Sequence, residues 1–585
     1  MSSAPLDRRQ FIASVATGTI AAQLPAPLIA ANTAPTAAPA SSRPPVADPS
    51  GAITVDTLAA GEKLAGIQFT AQQREKIVKG VADRAAQLPS LRASPIPNDV
   101  FPALTFDPRV AGVSPPAGLV TRVSLPVGAV STRQVPADED LAFLSIAELS
   151  ALLHARIVTS RQLTELALAR LKKYDPILQA VVTLTAERAL KQADAADAEL
   201  KAGKWRGLLH GIPWGAKDLL AVRGYPTTWG ATPFKDQVID TDAEVVRRLD
   251  EAGAVLVAKL ALGALANGDN WFGGQTKCPW NLGAGSSGSS AGPCAAVSAG
   301  LVPFAIGSET LGSIVSPCTR NAVTGLRPTY GRVSRAGAMS LAWSMDKLGP
   351  IARSAADCVT IFDAIHGADS VDPTAVSAPF NWEVARDLRG QRIGFLRTQF
   401  DLLSDWHATN QAVLETLRSL GAELVPIELP AAPLNAMRII LTVEAAAAFD
   451  HVTLSGELDA LIAPRPTNWA SLREARYIPA VEYIQANRLR TLLARDMEKT
   501  LTDAGVDVWL SPPGGSHLTL TNLTGHPTVC VPTGFQPLSG QPDSPRRNTA
   551  GISFNARLYH DDRALVIAHA FQMATDWHRR RPPIA

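Results

Sequence analysis

The chain has 585 residues, with 55 Lys+Arg against 53 Asp+Glu for a formal net charge of +2; 46% of residues are hydrophobic and 18% charged. That apolar content with so little net charge excludes an intrinsically disordered chain. The missing basic excess excludes a nucleic-acid binder that works through bulk charge, and the length allows two to four domains or one oversized domain with extensions.

The N-terminus carries Asp7-Arg8-Arg9-Gln10-Phe11-Ile12, then a weakly apolar run over 13–24 and small residues near Ala30-Ala31. This order of a basic, an apolar and a small-residue region resembles a twin-arginine export signal. The expectation is a leader over 1–31 and a periplasmic or secreted mature protein. The apolar run is broken by Pro25 and Pro27 and is too short to span a bilayer, so stable membrane insertion is not expected once the leader is removed. Cys278, Cys294, Cys318, Cys358 and Cys530 show neither CxxC nor Cys/His ligand spacing and read as small buried hydrophobes rather than disulfide or metal ligands.

Residues 32–51 are rich in Ala, Pro and Ser and read as a linker. Apolar spacing over 54–91 predicts helices, and the proline-rich stretch 95–136 is expected to wrap a surface. Together, 32–140 form the expected extension and 141–585 the main body. There, Ser145-Ile146-Ala147-Glu148 is a capping box opening an amphipathic helix, and Thr159-Ser160-Arg161-Gln162 starts another. Strands are predicted at 211–215 and 254–259 with a helix over 241–252 between them, and a strand-helix-strand unit over 391–427. A further buried strand is predicted at 506–510. This alternation indicates an α/β sheet covered by helices.

The strongest local anomaly is Gly283-Ala284-Gly285-Ser286-Ser287-Gly288-Ser289-Ser290-Ala291-Gly292. An apolar helix-like run follows it directly, so it reads as a tight loop opening a buried helix, where N–H groups and hydroxyls converge. No Gly-Lys-Ser/Thr follows, which excludes a phosphate loop. Two catalytic arrangements compete. Gly288-Ser289-Ser290-Ala291-Gly292 matches G-x-S-x-G, the α/β-hydrolase nucleophile elbow, with Ser290 attacking and His526, His560 or His569 as base. The other uses Lys217 in His210-Gly211-Ile212-Pro213-Trp214-Gly215-Ala216-Lys217, Ser289, and Ser313 in Gly307-Ser308-Glu309-Thr310-Leu311-Gly312-Ser313. A serine hydroxyl needs a base within reach. A buried lysine can be that base, because burial lowers its pKa from ~10.4 toward working pH. A second hydroxyl can relay the proton.

With these residues the sequence resembles the amidase signature family over about 140–580. The likeness extends through Ala296-Val297-Ser298-Ala299-Gly300, Gly325-Leu326-Arg327-Pro328-Thr329-Tyr330-Gly331, Ser344-Met345-Asp346-Lys347 and Asn522-Leu523-Thr524-Gly525-His526-Pro527. The resemblance implies an α/β/α sandwich around a large mixed sheet, and hydrolysis of a carboxylic amide C–N bond without metal or cofactor. It implies Ser313 as nucleophile, Ser289 as a bridge held by a cis peptide, Lys217 as base, and the N–H groups of Thr310, Leu311, Gly312 and Ser313 as oxyanion hole. A small-molecule amide is the implied partner, with no nucleic acid; a homodimer stays open. Esters or carbamates are side substrates the family admits, and a glutamine-hydrolysing amidotransferase of the A type is the alternative within it.

The chain departs from the family pattern in places. Leu311 stands where a glycine is usual, and would be strained if that position needs positive φ. Val315 replaces a common arginine, so Glu309 needs another cation, for which Arg320 is the expected partner. Trp271, Trp343 and Ser290 are expected to wall the acyl pocket.

Overall fold

In the sequence segment Val255–Leu260 every residue is buried, the pattern of a strand covered on both faces rather than one. The computed structural model describes residues 52–86, 96–115, 122–123, 136–385, 387–461 and 470–584. The expected leader over 1–31 and the expected linker over 32–51 lie outside them. Eleven strands form one sheet: β1 (Val181–Leu184), β2 (Pro213–Lys217), β3 (Val255–Leu260), β4 (Phe304–Glu309), β5 (Thr324–Arg327), β6 (Lys347–Ala352), β7 (Arg392–Leu396), β8 (Glu423–Ile427), β9 (Val508–Ser511), β10 (Thr528–Pro537) and β11 (Arg547–Ala556). Their spatial order is β8-β7-β9-β11-β10-β5-β6-β4-β2-β3-β1. Pairing is parallel between β7 and β8, β7 and β9, β2 and β3, and β2 and β4, and antiparallel elsewhere. The fold is therefore α/β with a large mixed sheet, as expected.

Successive side chains point to opposite faces, and both faces are packed. Phe304 and Ile306 enter one apolar cluster with Leu256, while Ala305, Val255 and Val257 enter another. Helices supply the second cluster: α1 (Ser160–Leu178), α2 (Ala186–Lys201) and α3 (Ala291–Ser298). The expected capping boxes are present. Thr159 accepts from Gln162 N at the start of α1, and Ser145 accepts from Glu148 N one helix earlier. Helix α1 continues to Leu178 despite Pro176, because Leu171, Tyr174 and Leu178 are all buried and tertiary packing holds the last turn.

Residues 48–585 group as one unit, and the other unit, Met1–Ala47, falls wholly outside the described residues. Parts of the proline-rich stretch lie against the main body. Asn98 Nδ2 donates to the Ser340 carbonyl at 3.0 Å, and the Phe106 ring lies 3.4 Å under the Arg490 guanidinium. Arg495 Nε donates to the Val110 carbonyl at 3.1 Å. All five cysteines are buried and free. Among the described residues no helix is long and apolar enough to cross a membrane.

Candidate active site

Lys217 ends β2, fully buried. Its sequence neighbour Asp218 does not neutralise it: that carboxylate pairs with Lys259 at 2.7 Å and accepts from Thr228 N at 3.0 Å. Lys217 Nζ meets only oxygens without charge. It donates to Ser289 Oγ at 2.8 Å, Ser308 Oγ at 2.8 Å, Ser290 Oγ at 3.0 Å and the Ser308 carbonyl at 3.4 Å. An ammonium buried without an adjacent anion loses its hydration and regains little. Burial accordingly brings the Lys217 pKa down to about 7, against the opposing pull of the more distant Asp346 and Glu309 carboxylates.

The Gly/Ser run is the loop that opens α3, as its flanks indicated. The Gly288–Ser289 peptide is cis. A side chain at position 288 would place its Cβ 1.8 Å from the Gly268 carbonyl oxygen, so only glycine fits there. Ser286, earlier in the same run, is committed elsewhere: its hydroxyl donates to the Ala291 carbonyl and accepts from Asn321 Nδ2. Ser290 is also buried, donating to the Ser308 carbonyl at 3.1 Å and accepting from Ser308 N at 3.2 Å. Among the described residues no histidine engages Ser290. His526 bonds Thr524 Oγ1 and His569 packs on Trp382, so the elbow arrangement lacks its base.

Ser313 sits in the turn between β4 and the short helix Val315–Asn321. Its carbonyl accepts from Ser290 N at 3.2 Å, which ties this turn to the Gly/Ser loop. Among the described residues the Ser313 hydroxyl makes no hydrogen bond, and no acceptor engages the N–H groups of Leu311, Gly312 or Ser313. Several N–H donors and a hydroxyl left open in one turn are unusual in a folded interior, where such groups are ordinarily paired. Positive φ falls on Gly312 (+86°), not on Leu311, so the strain considered for Leu311 does not arise.

A network beneath the turn holds it. Glu309 Oε2 accepts from Ile314 N at 2.8 Å and Val315 N at 3.0 Å, and Oε1 from Arg327 Nη1 and Asn522 Nδ2, each at 2.8 Å. Burial alone would raise the Glu309 pKa; the Arg327 guanidinium and these donors bring it down to about 2. The cation partner is thus Arg327, not the expected Arg320. Sheet order explains the difference: β6 places Lys347 opposite Glu309, and the side chain of Arg327, at the end of β5 on the other side of β6, reaches the same carboxylate. Thr310 Oγ1 donates to Asp346 at 2.5 Å, fixing the other end of the turn.

Gly288, Thr310, Leu311 and Ser313 line a cavity of about 440 Å³. Its other walls include Leu265, Asn267, Leu341 and one face of the helix α4 (Ile439–Ala448), with Leu441, Thr442 and Ala445 turned to it, followed by Phe449. Of the residues expected at the site, Lys217, Ser289 and Ser290 are directly bonded, and Thr310, Leu311 and Ser313 share the cavity with the loop. Trp271 and Trp343 do not line it. Trp271 Nε1 donates to the Gln179 carbonyl, and Trp343 Nε1 to the Asn98 carbonyl, anchoring the extension. Sequence reasoning missed Ser308, although it lies within the quoted block around Ser313, and it missed the α4 wall, which no motif marks.

Known proteins resemble this chain in sequence and in fold. The family model described as Amidase matches residues 162–520, more than half of the chain. The chain is 34% identical to the A-type subunit of the glutamyl-tRNA(Gln) amidotransferase of Halorhodospira halophila, over 75% of this chain and 98% of that protein. It is 35% identical to the corresponding protein of a Roseiflexus species, over 73% and 95%. The native peptide amidase of Stenotrophomonas maltophilia superposes with a TM-score of 0.66 at 30% identity, covering 75% of this chain and 98% of that one. With its lysine and serines gathered on this mixed sheet, the chain belongs to the amidase signature family of enzymes acting on C–N bonds.

Proposed function

We propose that the protein is an exported amidase that hydrolyses a carboxylic amide of a small molecule through an acyl-enzyme on Ser313. The observation that carries this reading is a buried lysine without a counter-ion, bonded to Ser289 at 2.8 Å, beside a turn whose serine hydroxyl and N–H groups are open to a cavity. Near neutral pH a fraction of Lys217 is uncharged and accepts the Ser289 proton, while Ser289 accepts that of Ser313. Ser313 Oγ bonds to the amide carbon, and the carbonyl oxygen takes the negative charge opposite the N–H groups of the 310–313 turn. Such donors contribute about 3–4 kcal/mol each to the barrier reduction. The protonated Lys217 returns its proton through Ser289 to the amine nitrogen as the C–N bond breaks. Water, deprotonated by the same relay, then cleaves the ester on Ser313, releasing the carboxylic acid and restoring the hydroxyl.

Labelling with a fluorophosphonate followed by peptide mapping tests the assignment. The adduct is expected on Ser313. An adduct on Ser290, or none on the folded protein, would overturn it. The likeness to the glutamyl-tRNA(Gln) amidotransferases favours a second reading, in which glutamine is the amide hydrolysed. Ammonia release from glutamine exceeding that from aliphatic and aryl amides would favour it over the first.

A further inference from the structure

We infer that Arg438 makes this cavity selective for an amide that also carries a free carboxylate. The inference rests on the amidase reading and adds the substrate class. Arg438 precedes α4 and lies on the same face as Leu441, Thr442 and Ala445, spaced three and four residues along the helix, so its side chain belongs to the cavity wall. No aspartate or glutamate lines the cavity, and Arg438 is its one charged residue among those described.

The guanidinium is also unpaired among the described residues. Among the described residues Arg438 takes part in hydrogen bonds only through its backbone, donating to the Ala436 carbonyl and accepting from Thr442, and in no ion pair or ring contact. Three buried cations, Arg327, Arg335 and Lys259, are matched by Glu309, Asp372 and Asp218, whereas Arg438 is exposed. Beyond residue 51, the segments outside the described residues contain no Asp or Glu in their sequence, including the eight positions 462–469 that precede the cavity residues Ser471 and Leu472 in the chain. An exposed guanidinium beside a cavity whose other described lining residues are uncharged raises the positive potential there. Its planar pair of N–H groups matches a carboxylate bidentately. The reacting carbonyl is neutral, so the anion it complements belongs to another part of the substrate.

Two matched pairs test this by steady-state kinetics on the protein: the mono-4-nitroanilide of adipic acid against hexanoic 4-nitroanilide, and 4-acetamidobenzoate against 4-acetamidotoluene. The pairs place the carboxylate on the acyl side or the amine side. In at least one pair the carboxylate member is expected to be favoured by about tenfold or more in kcat/KM, the scale of a charge-assisted hydrogen bond. Arg438→Gln is expected to bring that ratio close to one, Arg438→Lys to retain part of it, and added salt to reduce it. No preference for the carboxylate, or a preference that Arg438→Gln leaves in place, would overturn the inference. If the neutral members are hydrolysed and Ser313 is labelled while the ratio stays near one, only the role of Arg438 falls. If no member is hydrolysed and Ser313 stays unlabelled, the amidase reading falls with it. Where Ser313 is labelled but none of the four is turned over, adipate is expected to slow labelling of wild type and not of Arg438→Gln; equal labelling rates would overturn the inference.

Discussion

Lys217 is surrounded by hydroxyl and carbonyl oxygens with no carboxylate among them, and that single fact sets its chemistry. Its pKa near 7 places the change from ammonium to amine inside the physiological range. Because the amine is the working form, kcat/KM for a neutral amide is expected to rise with pH along a limb centred near 7, as read from a pH–rate profile. Ser289→Ala, which breaks the relay but leaves both ends, is expected to lower kcat by roughly 10²–10⁴-fold. The same shift acts on stability. The folded state disfavours the ammonium, so its penalty is fully present below pH 7. It is relieved as pH rises from about 7 toward the unfolded lysine value of ~10.4, the window in which the unfolded chain binds more protons. Wild type is therefore expected to gain thermal stability relative to Lys217→Met between pH 7 and 10. Parallel curves over that interval would remove the pKa shift from the argument. The residue types of this site were legible in sequence through the resemblance to the amidase signature family, which the Gly/Ser run, the Gly307-Ser308-Glu309-Thr310 segment and Lys217 carry together. Ser308 was not, because a serine inside a strand gives no sign of which face it serves.

At the scale of elements, the turn after β4 keeps its shape only because strands on either side hold it. Glu309 commits both oxygens there, two N–H bonds to the turn and two to Arg327 and Asn522, all away from water. Removing one member of a buried pair leaves the other charge uncompensated, a loss of about 3–5 kcal/mol. Glu309→Ala is expected to lose stability on that scale in urea unfolding, and to label more slowly at Ser313. The depressed Glu309 pKa makes its contribution fully present above about pH 4.5 and lost as pH falls toward 2, so the wild-type advantage over this variant should shrink in acid. A wild-type advantage unchanged between pH 5 and 3 would show that the pairing is not what holds the turn. Local sequence suggested Arg320, a short way beyond the turn. The pairing instead follows the β5-β6-β4 order, which brings Arg327 in from the far side of Lys347. Hairpin and crossover geometry, not proximity in the chain, chose the partner.

For the whole molecule, the export reading belongs to a segment outside the described residues and stands on the Arg8-Arg9 pair and the apolar run behind it. The full chain is expected in the periplasmic fraction of a host with a twin-arginine pathway, and Arg8→Lys/Arg9→Lys is expected to keep it in the cytoplasm. Equal distribution of the two forms on fractionation would dismiss the leader. The proline-rich extension also matters at this scale. Asn98, Phe106 and Val110 contact the Ser340–Trp343 turn or the long helix bearing Arg490 and Arg495, so these parts of it lie on the main body rather than trailing from it.

Much of the architecture was readable without coordinates. Strands at 213–217, 255–260, 392–396, 423–427 and 508–511 fall within a few residues of the runs of apolar and β-branched side chains that announce them. Capping boxes marked two helix starts, and the loop before α3 was recognisable from its glycines. These are local properties, governed by backbone freedom, side-chain periodicity and hydrogen-bonding groups a few residues apart. By itself the sequence determined the α/β class and the family, and it singled out Lys217, Ser289 and Ser313 for the relay proposed above. Only the tertiary structure decided the order of eleven strands, the Glu309–Arg327 pair, the inward face of α4, and the exclusion of Trp271 and Trp343 from the cavity. Those depend on which distant surfaces meet, and burial and charge acquire their energetic weight only after they have met.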